Sequence, residues 1–324
     1  MRIGIAITRA ASIDTTWTTV HLAVAALELG WSVRFIEPWD FEVAADRRLI
    51  ARAHAFEPDR GVTVEAMAAA LSGRRATRRF VDVARLDVLL LRAAPLRPTV
   101  ISLAMMAQAY GVRVVNDPAG LLRVSHKAWL ASQPSAHIPP SLVTRSRAAA
   151  QLFYESQGDG VVVKPARGSG GRAVHKVAAG SPEDMDEAFD GATLVGDGYV
   201  VIQRYLTEAD DGEKRLLWLD GELIGGYLRQ RAEGEFRHNL KRGGIAVPTE
   251  VTAADKRAAR SITPALRQAG IRFAGLDVIG GYLIEVNALN PGGTYHTDRL
   301  SGTRLSRTVL ARLVEPVARP EYRE

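Results

Sequence analysis

The sequence predicts an α/β protein: a parallel-sheet domain first, then α+β segments rich in antiparallel hairpins. Three observations carry this expectation. Short apolar strands alternate with helix-length segments through the first third of the chain. From Tyr199 onward, paired strands with glycine turns replace that alternation. The length, 324 residues at 47% hydrophobic and 24% charged, is enough for two or three domains with a substantial core.

Residues 3–7 read as the first strand, apolar throughout. Residues 20–29 are a helix ended by Gly30. Residues 33–36 and 87–91 are further short strands, 99–110 a helix closed by Gly111, and 112–115 a strand. The charged stretch 46–79 fits no single period. The texture changes at Asn116-Asp117-Pro118, and Pro134, Pro139 and Pro140 punctuate a connector. Ser146 caps a helix through Tyr154, residues 161–164 are a strand, and Ser181-Pro182-Glu183-Asp184 starts another helix. Residues 199–203 are a strand. One long helix spans 253–268, with Thr252 and Asp255 as a capping box and Gly270 at its end. The expected domains are 1–120, a small lid at 121–205, and a C-terminal subdomain at 206–324.

Composition excludes several classes of function. Cysteine is absent, so there are no disulfides, thiolate metal sites or cysteine nucleophiles. No run is apolar enough to span a bilayer. The opening MRIGIAI is too short for a signal peptide's apolar region, so a cytoplasmic location is expected. The formal charge of +6 is mild and its arginines are scattered, which suits an acidic small molecule better than nucleic acid.

The richest segment is GLDVIGGYLIEVNALNPGG, residues 275–293. It reads as strand, glycine turn, strand, with Asp277, Glu285 and Asn287 as oxygen ligands. Glu285 and Asn287 are two apart and so share a strand face. Two carboxylates and a carboxamide suit Mg²⁺ when nucleotide phosphates supply further ligands. Register decides whether they converge. A plain two-residue turn at Gly280-Gly281 pairs Asp277 with Ile284 and turns Glu285 away. A three-residue loop or a bulge pairs Asp277 with Glu285, and one of these is expected.

Upstream, VVVKPARGSGG delivers Lys164 on a strand toward Gly168, Ser169, Gly170 and Gly171, a loop able to cradle phosphate oxygens. The lysine precedes the glycines, unlike a Walker A loop. The strand YVVIQRYL, which includes Gln203 and Arg204, offers backbone to an adenine edge while Leu206 or Tyr205 packs on the ring. GEKRLLWLDG places Glu213 for ribose hydroxyls and Arg215 for a phosphoryl group. Arg229, Arg237, Asn239, Lys241 and Arg242 precede Gly243-Gly244, and such cations suit carboxylates and a phosphorylated intermediate. The seven histidines do not cluster.

In this order the motifs resemble those of the ATP-grasp superfamily, and within it the bacterial glutathione synthetases. The resemblance runs from about Asn116 to Asn287 through Asn116–Pro118, Lys127, Lys164-Pro165, Gln203–Tyr205, Gly212–Arg215, Arg237–Gly244 and Gly275–Asn287. It implies an ATP-grasp fold: a Rossmann-like domain plus two α+β subdomains clasping ATP. It further implies that Lys127 and Lys164 contact ATP, that Gln203, Tyr205 and Leu206 line the adenine pocket, and that Asp277, Glu285 and Asn287 hold one or two Mg²⁺ ions, with Mn²⁺ a substitute. Arg215 and Arg229 would stabilise the transferred phosphoryl group. The implied activity is ATP-dependent carboxylate–amine ligation through an acylphosphate, on a γ-glutamyl peptide and a small amino acid, by a homodimer or homotetramer.

Three departures stand out. Glu213 replaces the family's aspartate. NALNPGG, with Asn290, Gly292 and Gly293, stands where the synthetases carry Asn-Val-Thr-Ser-Pro-Thr-Gly, in the region that meets the amino acceptor. LKRGG is more basic than their Leu-Ala-Ala-Gly-Gly and is similar to the ribosomal-protein glutamate ligases. A glutamate or other amino-acid ligase acting on a different small molecule, peptide or protein tail, a kinase-like relative, and a nucleotide-binding regulator without turnover are therefore the alternatives.

Overall fold

The structure is a computed structural model. It describes residues 1–315 apart from Arg74, Leu96 and Ser169, and the backbone but not the side chain of Lys241. The chain forms two compact units, residues 1–119 with 289 onward, and residues 120–288.

The first unit is built on one seven-stranded sheet. Its strands are β1 (Arg2–Ala6), β2 (Ser32–Ile36), β3 (Phe41–Val43), β4 (Leu49–Phe56), β5 (Arg78–Asp82), β6 (Val88–Leu91) and β7 (Arg113–Val115). β2, β1, β6 and β7 run parallel, as the alternating pattern predicts. The stretch without a clear period contributes β4, helix α2 (Val64–Ser72) and the start of β5. β4 pairs antiparallel with β2, β3 and β5, so the parallel sheet carries an antiparallel extension. β5 is largely exposed, which is why no apolar alternation marks it.

Helix α1 (Thr18–Glu28) follows β1 and helix α3 (Pro98–Ala109) follows β6. α1 buries Thr18, Thr19, Val20, Leu22, Ala23, Val24, Ala25, Ala26 and Leu27, nearly its whole circumference. The cover comes partly from the end of the chain: α9 (Thr294–Ser301) and α10 (Leu305–Val314) pack against α1. The stretch from residue 289 therefore belongs with the N-terminal sheet, where the sequence grouped it with 206–288. The apolar face of α10 (Leu305, Val309, Leu310, Leu313) needs α1 as its partner.

The second unit holds two antiparallel sheets. Helices α4 (Pro118–Val124) and α5 (Lys127–Ala131) lead into it. The first sheet has order β10-β9-β11-β8, from β8 (Ser141–Thr144), β9 (Val161–Pro165), β10 (His175–Val177) and β11 (Val200–Arg204). Val161, Val163, Val200 and Ile202 form a core with α6 (Arg147–Glu155) and α7 (Pro182–Thr193). Period-2 alternation then turns Val162, Lys164 and Gln203 to the opposite face.

The second sheet has order β14-β13-β12-β15-β16. It comprises β12 (Glu213–Leu219), β13 (Glu222–Gln230), β14 (Ile245–Val247), β15 (Phe273–Ile279) and β16 (Tyr282–Asn287). Helix α8 (Ala253–Gln268) covers one face; Trp218 Nε1 donates to Thr263 Oγ1 at 3.0 Å across that interface. The expected capping box of Thr252 and Asp255 starts α8, and Asp255 also holds Lys214 Nζ at 2.7 Å. The other face of this sheet carries Glu213, Arg215, Arg229 and Asp277.

Candidate active site

The β15–β16 hairpin sets the register of the site. Gly280 and Gly281 form a two-residue turn at φ +55° and +83°, positions that suit glycine. Ile279 opposes Tyr282 and Val278 opposes Leu283. A bulge between Asp277 and Val278 then sets Asp277 opposite Glu285, and Gly275 opposite Asn287. The turn is thus the short one, and the bulge supplies the shift that the longer loop would have given.

The same face continues across β12 and β13. Arg215 lies opposite both Asp277 and Tyr227, and Glu213 lies opposite Arg229. Arg215 chelates Asp277, Nε to Oδ1 at 2.5 Å and Nη2 to Oδ2 at 3.0 Å. Its guanidinium lies over Gly275, where an added Cβ would come within 3.1 Å of Arg215 Cδ. Arg229 Nη2 reaches Asp277 Oδ1 at 2.7 Å and also pairs with Glu213. Asn287 Nδ2 donates to Asp277 Oδ2 at 3.0 Å. Burial works to raise the Asp277 pKa, but the two guanidinium groups outweigh it and hold the carboxyl down at about 2. The Arg215 and Arg229 pKa values are raised in spite of their burial.

The facing sheet contributes the lysines. Lys164 is buried, with Nζ 3.0 Å from Gln203 Oε1 and 3.3 Å from the Ile284 carbonyl. Burial pushes its pKa down to about 8, against the pull of Glu285. Lys127 Nζ donates to the Gly168 carbonyl at 3.0 Å and lies 3.4 Å from Glu285 Oε1, between glycine loop and acid. Arg237 chelates Glu235 and donates to the Gly171 carbonyl at 2.9 Å, which fastens the glycine loop to the segment before β14.

Between the two sheets lies a cleft of about 250 Å³. One end is an apolar slot of Val162, Leu206, Ile279 and Ile284 beside Gln203 and Tyr205. The other end carries Lys127, Lys164, the glycines and the acids. Three residues that line the cleft each carry a buried polar atom with no hydrogen-bond partner: Tyr205 Oη, Arg229 Nε and His238 Nε2. Native interiors leave few such atoms, and a ligand is one means of satisfying them.

Asp277, Glu285 and Asn287 fit a hard divalent cation by chemistry and placement. Among the described residues no three His, Cys, Asp or Glu side chains group as a metal site; the third candidate donor beside Asp277 and Glu285 is the Asn287 carboxamide. Glu285 has the more open of the two carboxylates, since both Asp277 oxygens already accept hydrogen bonds.

Sequence comparison bears on the same residues. Residues 1–122 match the family described as prokaryotic glutathione synthetase, N-terminal domain, and residues 127–302 match prokaryotic glutathione synthetase, ATP-grasp domain. The chain belongs to the prokaryotic glutathione synthetase family. Its fold is the ATP-grasp fold. A glutathione synthetase from Thermosynechococcus vestitus is 39% identical over 198 residues, covering 61% of each chain. One from Rhodopseudomonas palustris is 34% identical over 231 residues, covering 68% of this chain and 71% of the relative. The match thus spans about three-fifths of the length of the first of these relatives. A solved D-cycloserine synthetase has the same fold at TM-score 0.65 and 17% identity, covering 96% of this chain and 99% of that one.

Within the family's ATP-grasp region, the cleft gathers Lys127, Lys164, Gly168, Gly170, Gly171, Gln203, Arg204, Tyr205, Leu206, Glu213, Arg215, Arg229, Arg237, Asn239, Asp277, Glu285 and Asn287. Ser169 and the Lys241 side chain lie outside the described residues. Arg242, Gly243 and Gly244 do not line the cleft, although Arg242 Nη1 comes within 3.8 Å of Glu235. Asn290, Gly292 and Gly293 fall in the other unit, where Arg92 Nη2 donates to the Pro291 carbonyl at 2.9 Å and Gly293 N to Thr18 Oγ1 at 3.2 Å. The sequence did not single out Val162, Ile279, Ile284 or His238. Alternation places Val162 with Lys164 on β9 and Ile279 with Asp277 on β15; Ile284 falls at the bulge, which alternation does not foresee, and nothing in the residue order marks His238.

Proposed function

We propose that the chain is an ATP-dependent carboxylate–amine ligase, acting on a γ-glutamyl peptide and a small amino acid. One observation carries the reading: a single cleft joins an apolar slot, two lysines on a glycine loop, and an arginine-clamped acid–carboxamide wall. The slot suits an adenine ring and the lysines suit its phosphates. Asp277, Glu285 and Asn287 would hold Mg²⁺, which neutralises phosphate charge when bound.

In the proposed reaction a substrate carboxylate oxygen attacks the γ-phosphorus and ADP leaves, giving an acylphosphate. The amine then attacks the acyl carbon, phosphate departs, and the nitrogen loses a proton. Lys127, Lys164, Arg215 and Arg229 orient phosphates and offset charge, so no covalent bond to the protein is needed. The Arg237–Gly171 contact keeps the glycine loop over the cleft and limits water at the acylphosphate.

The test is phosphate release from Mg-ATP with γ-glutamylcysteine and glycine, with the product identified by mass. Glutathione formation supports the reading entire. Release only with another carboxylate and amine keeps the ligase and changes its substrates. ATP binding without release under any pairing favours a non-catalytic regulator.

A further inference from the structure

Lys127 reaches the cleft from a short helix that has to start in the right place. Its main-chain N–H donates to the Ala166 carbonyl at 3.1 Å, and its Nζ to the Gly168 carbonyl at 3.0 Å. Helix α4 ends at Val124 and α5 begins at Lys127, so the chain leaves its helical path for two residues. His126 is extended there, at φ −96° and ψ 125°, and its Nδ1 accepts from Ala128 N at 3.1 Å. That bond satisfies one of the free donors of the first turn, a task more often given to serine, threonine, asparagine or aspartate.

An imidazole can do this in one protonation state only. Nδ1 must carry a lone pair, so the proton sits on Nε2. Nε2 lies 3.6 Å from Asp197 Oδ2, too long for a hydrogen bond but close enough for the carboxylate to favour that tautomer. Asp197 also pairs with Arg167 Nε at 3.3 Å. His126 and Arg167 immediately precede Lys127 and Gly168, the two residues joined by the lysine Nζ. The acid therefore stands behind both halves of that contact. The charged groups that face the ring are Asp197, Arg167 and Lys127. Burial and the Arg167 cation hold the His126 pKa below its ordinary 6.5, against the pull of Asp197. The neutral, capping ring thus persists into mildly acidic solution. Protonation places a donor on Nδ1 and removes the cap.

We propose that His126, with Asp197 behind it, is a positioning residue: its neutral ring fixes the start of α5 and so aims Lys127 at the phosphates of the nucleotide. The inference rests on the nucleotide-binding reading of the cleft. His126 does not line the cleft and acts through Lys127, which does.

The experiment measures Mg-ATP binding to the full chain by calorimetry, for wild type, His126→Ala, His126→Asn, Lys127→Ala and the double variant His126→Ala with Lys127→Ala. At about pH 8, His126→Ala should weaken binding by roughly fivefold, the loss of one cap. His126→Asn should stay within about twofold of wild type, since its carboxamide oxygen also caps. In the Lys127→Ala background the His126→Ala change should cost less than about twofold, because the group it aims is gone. As pH falls from about 8 to about 5, wild type should lose affinity relative to His126→Asn; the ratio of the two cancels the ionisation of ATP itself. Unchanged binding by His126→Ala, an equal cost with and without Lys127, or a constant ratio of wild type to His126→Asn across the pH range overturns the proposal while leaving nucleotide binding intact. Failure of wild type to bind ATP at all overturns the nucleotide reading itself, and this proposal with it. If His126→Ala does not fold, as judged by circular dichroism, the pH dependence of the ratio between wild type and His126→Asn decides.

Discussion

Asp277 concentrates most of the electrostatics of the site. Two arginines and a carboxamide surround it in a nearly water-free setting. Removing its charge leaves two buried guanidinium groups without their shared partner, a loss on the order of 3–5 kcal/mol. We predict that Asp277→Asn lowers stability by about that amount at pH 7, measured by urea unfolding. The folded pKa, about 2, lies below the unfolded value, so the stabilisation is present above about pH 4. It is lost as pH falls through 2, and the gap between wild type and variant should close over that interval. Lys164 has the opposite consequence. Its folded pKa is pushed to about 8, so its cation is lost well below the usual lysine range. ATP affinity should weaken as pH rises from 8 to 9.5 in the wild type. In Lys164→Met it should be weaker throughout and nearly flat across the same range; a wild-type affinity independent of pH there would count against a phosphate role for Lys164.

The β15–β16 hairpin is the element on which the site depends. Its glycine turn sets the pairing and its bulge sets the facing. Gly280 adopts a left-handed φ, and an added Cβ would sit 2.8 Å from Glu208 Cβ and Cγ. Gly280→Ala is expected to cost about 1–3 kcal/mol, read as a lower melting temperature, with further loss of ATP binding as Asp277 and Glu285 move out of opposition. Much of this element was legible in the sequence. The glycine pair, the i,i+2 spacing of Glu285 and Asn287, and the α8 capping box depend on local chemistry, and the structure places them as read. The bulge was one of two expected solutions, since choosing between them requires the neighbouring strand β12. His238 was not legible, because it lies in the irregular segment between β13 and β14 and meets Glu213 only through the fold.

At the scale of the whole molecule, ligand binding should be visible as stability. A ligand at a hundred times its dissociation constant stabilises the state it binds by about 2.7 kcal/mol. We predict a rise of several degrees in melting temperature with Mg-ATP, and a smaller rise when EDTA removes the metal; no shift under saturating Mg-ATP would contradict nucleotide binding by the cleft. The parallel core of the first unit was readable from strand–helix alternation. Its antiparallel extension was not, because the exposed β5 has no apolar face to read. The assignment of α9 and α10 also escaped the sequence, since an amphipathic helix announces a buried face without naming what covers it.

That assignment has a consequence for how the protein is made. The first unit is interrupted: the chain leaves it after Ala119 and returns at Leu289. A ribosome working from the N-terminus thus releases every residue of the second unit before α9 and α10 exist. During translation α1 waits with part of its apolar surface uncovered, while the later-synthesised unit can already complete its core. The usual order, in which the N-terminal domain finishes first, is reversed here. The helix that covers the nascent sheet of β1, β2 and β6 is then the last part of the molecule to gain its full set of partners.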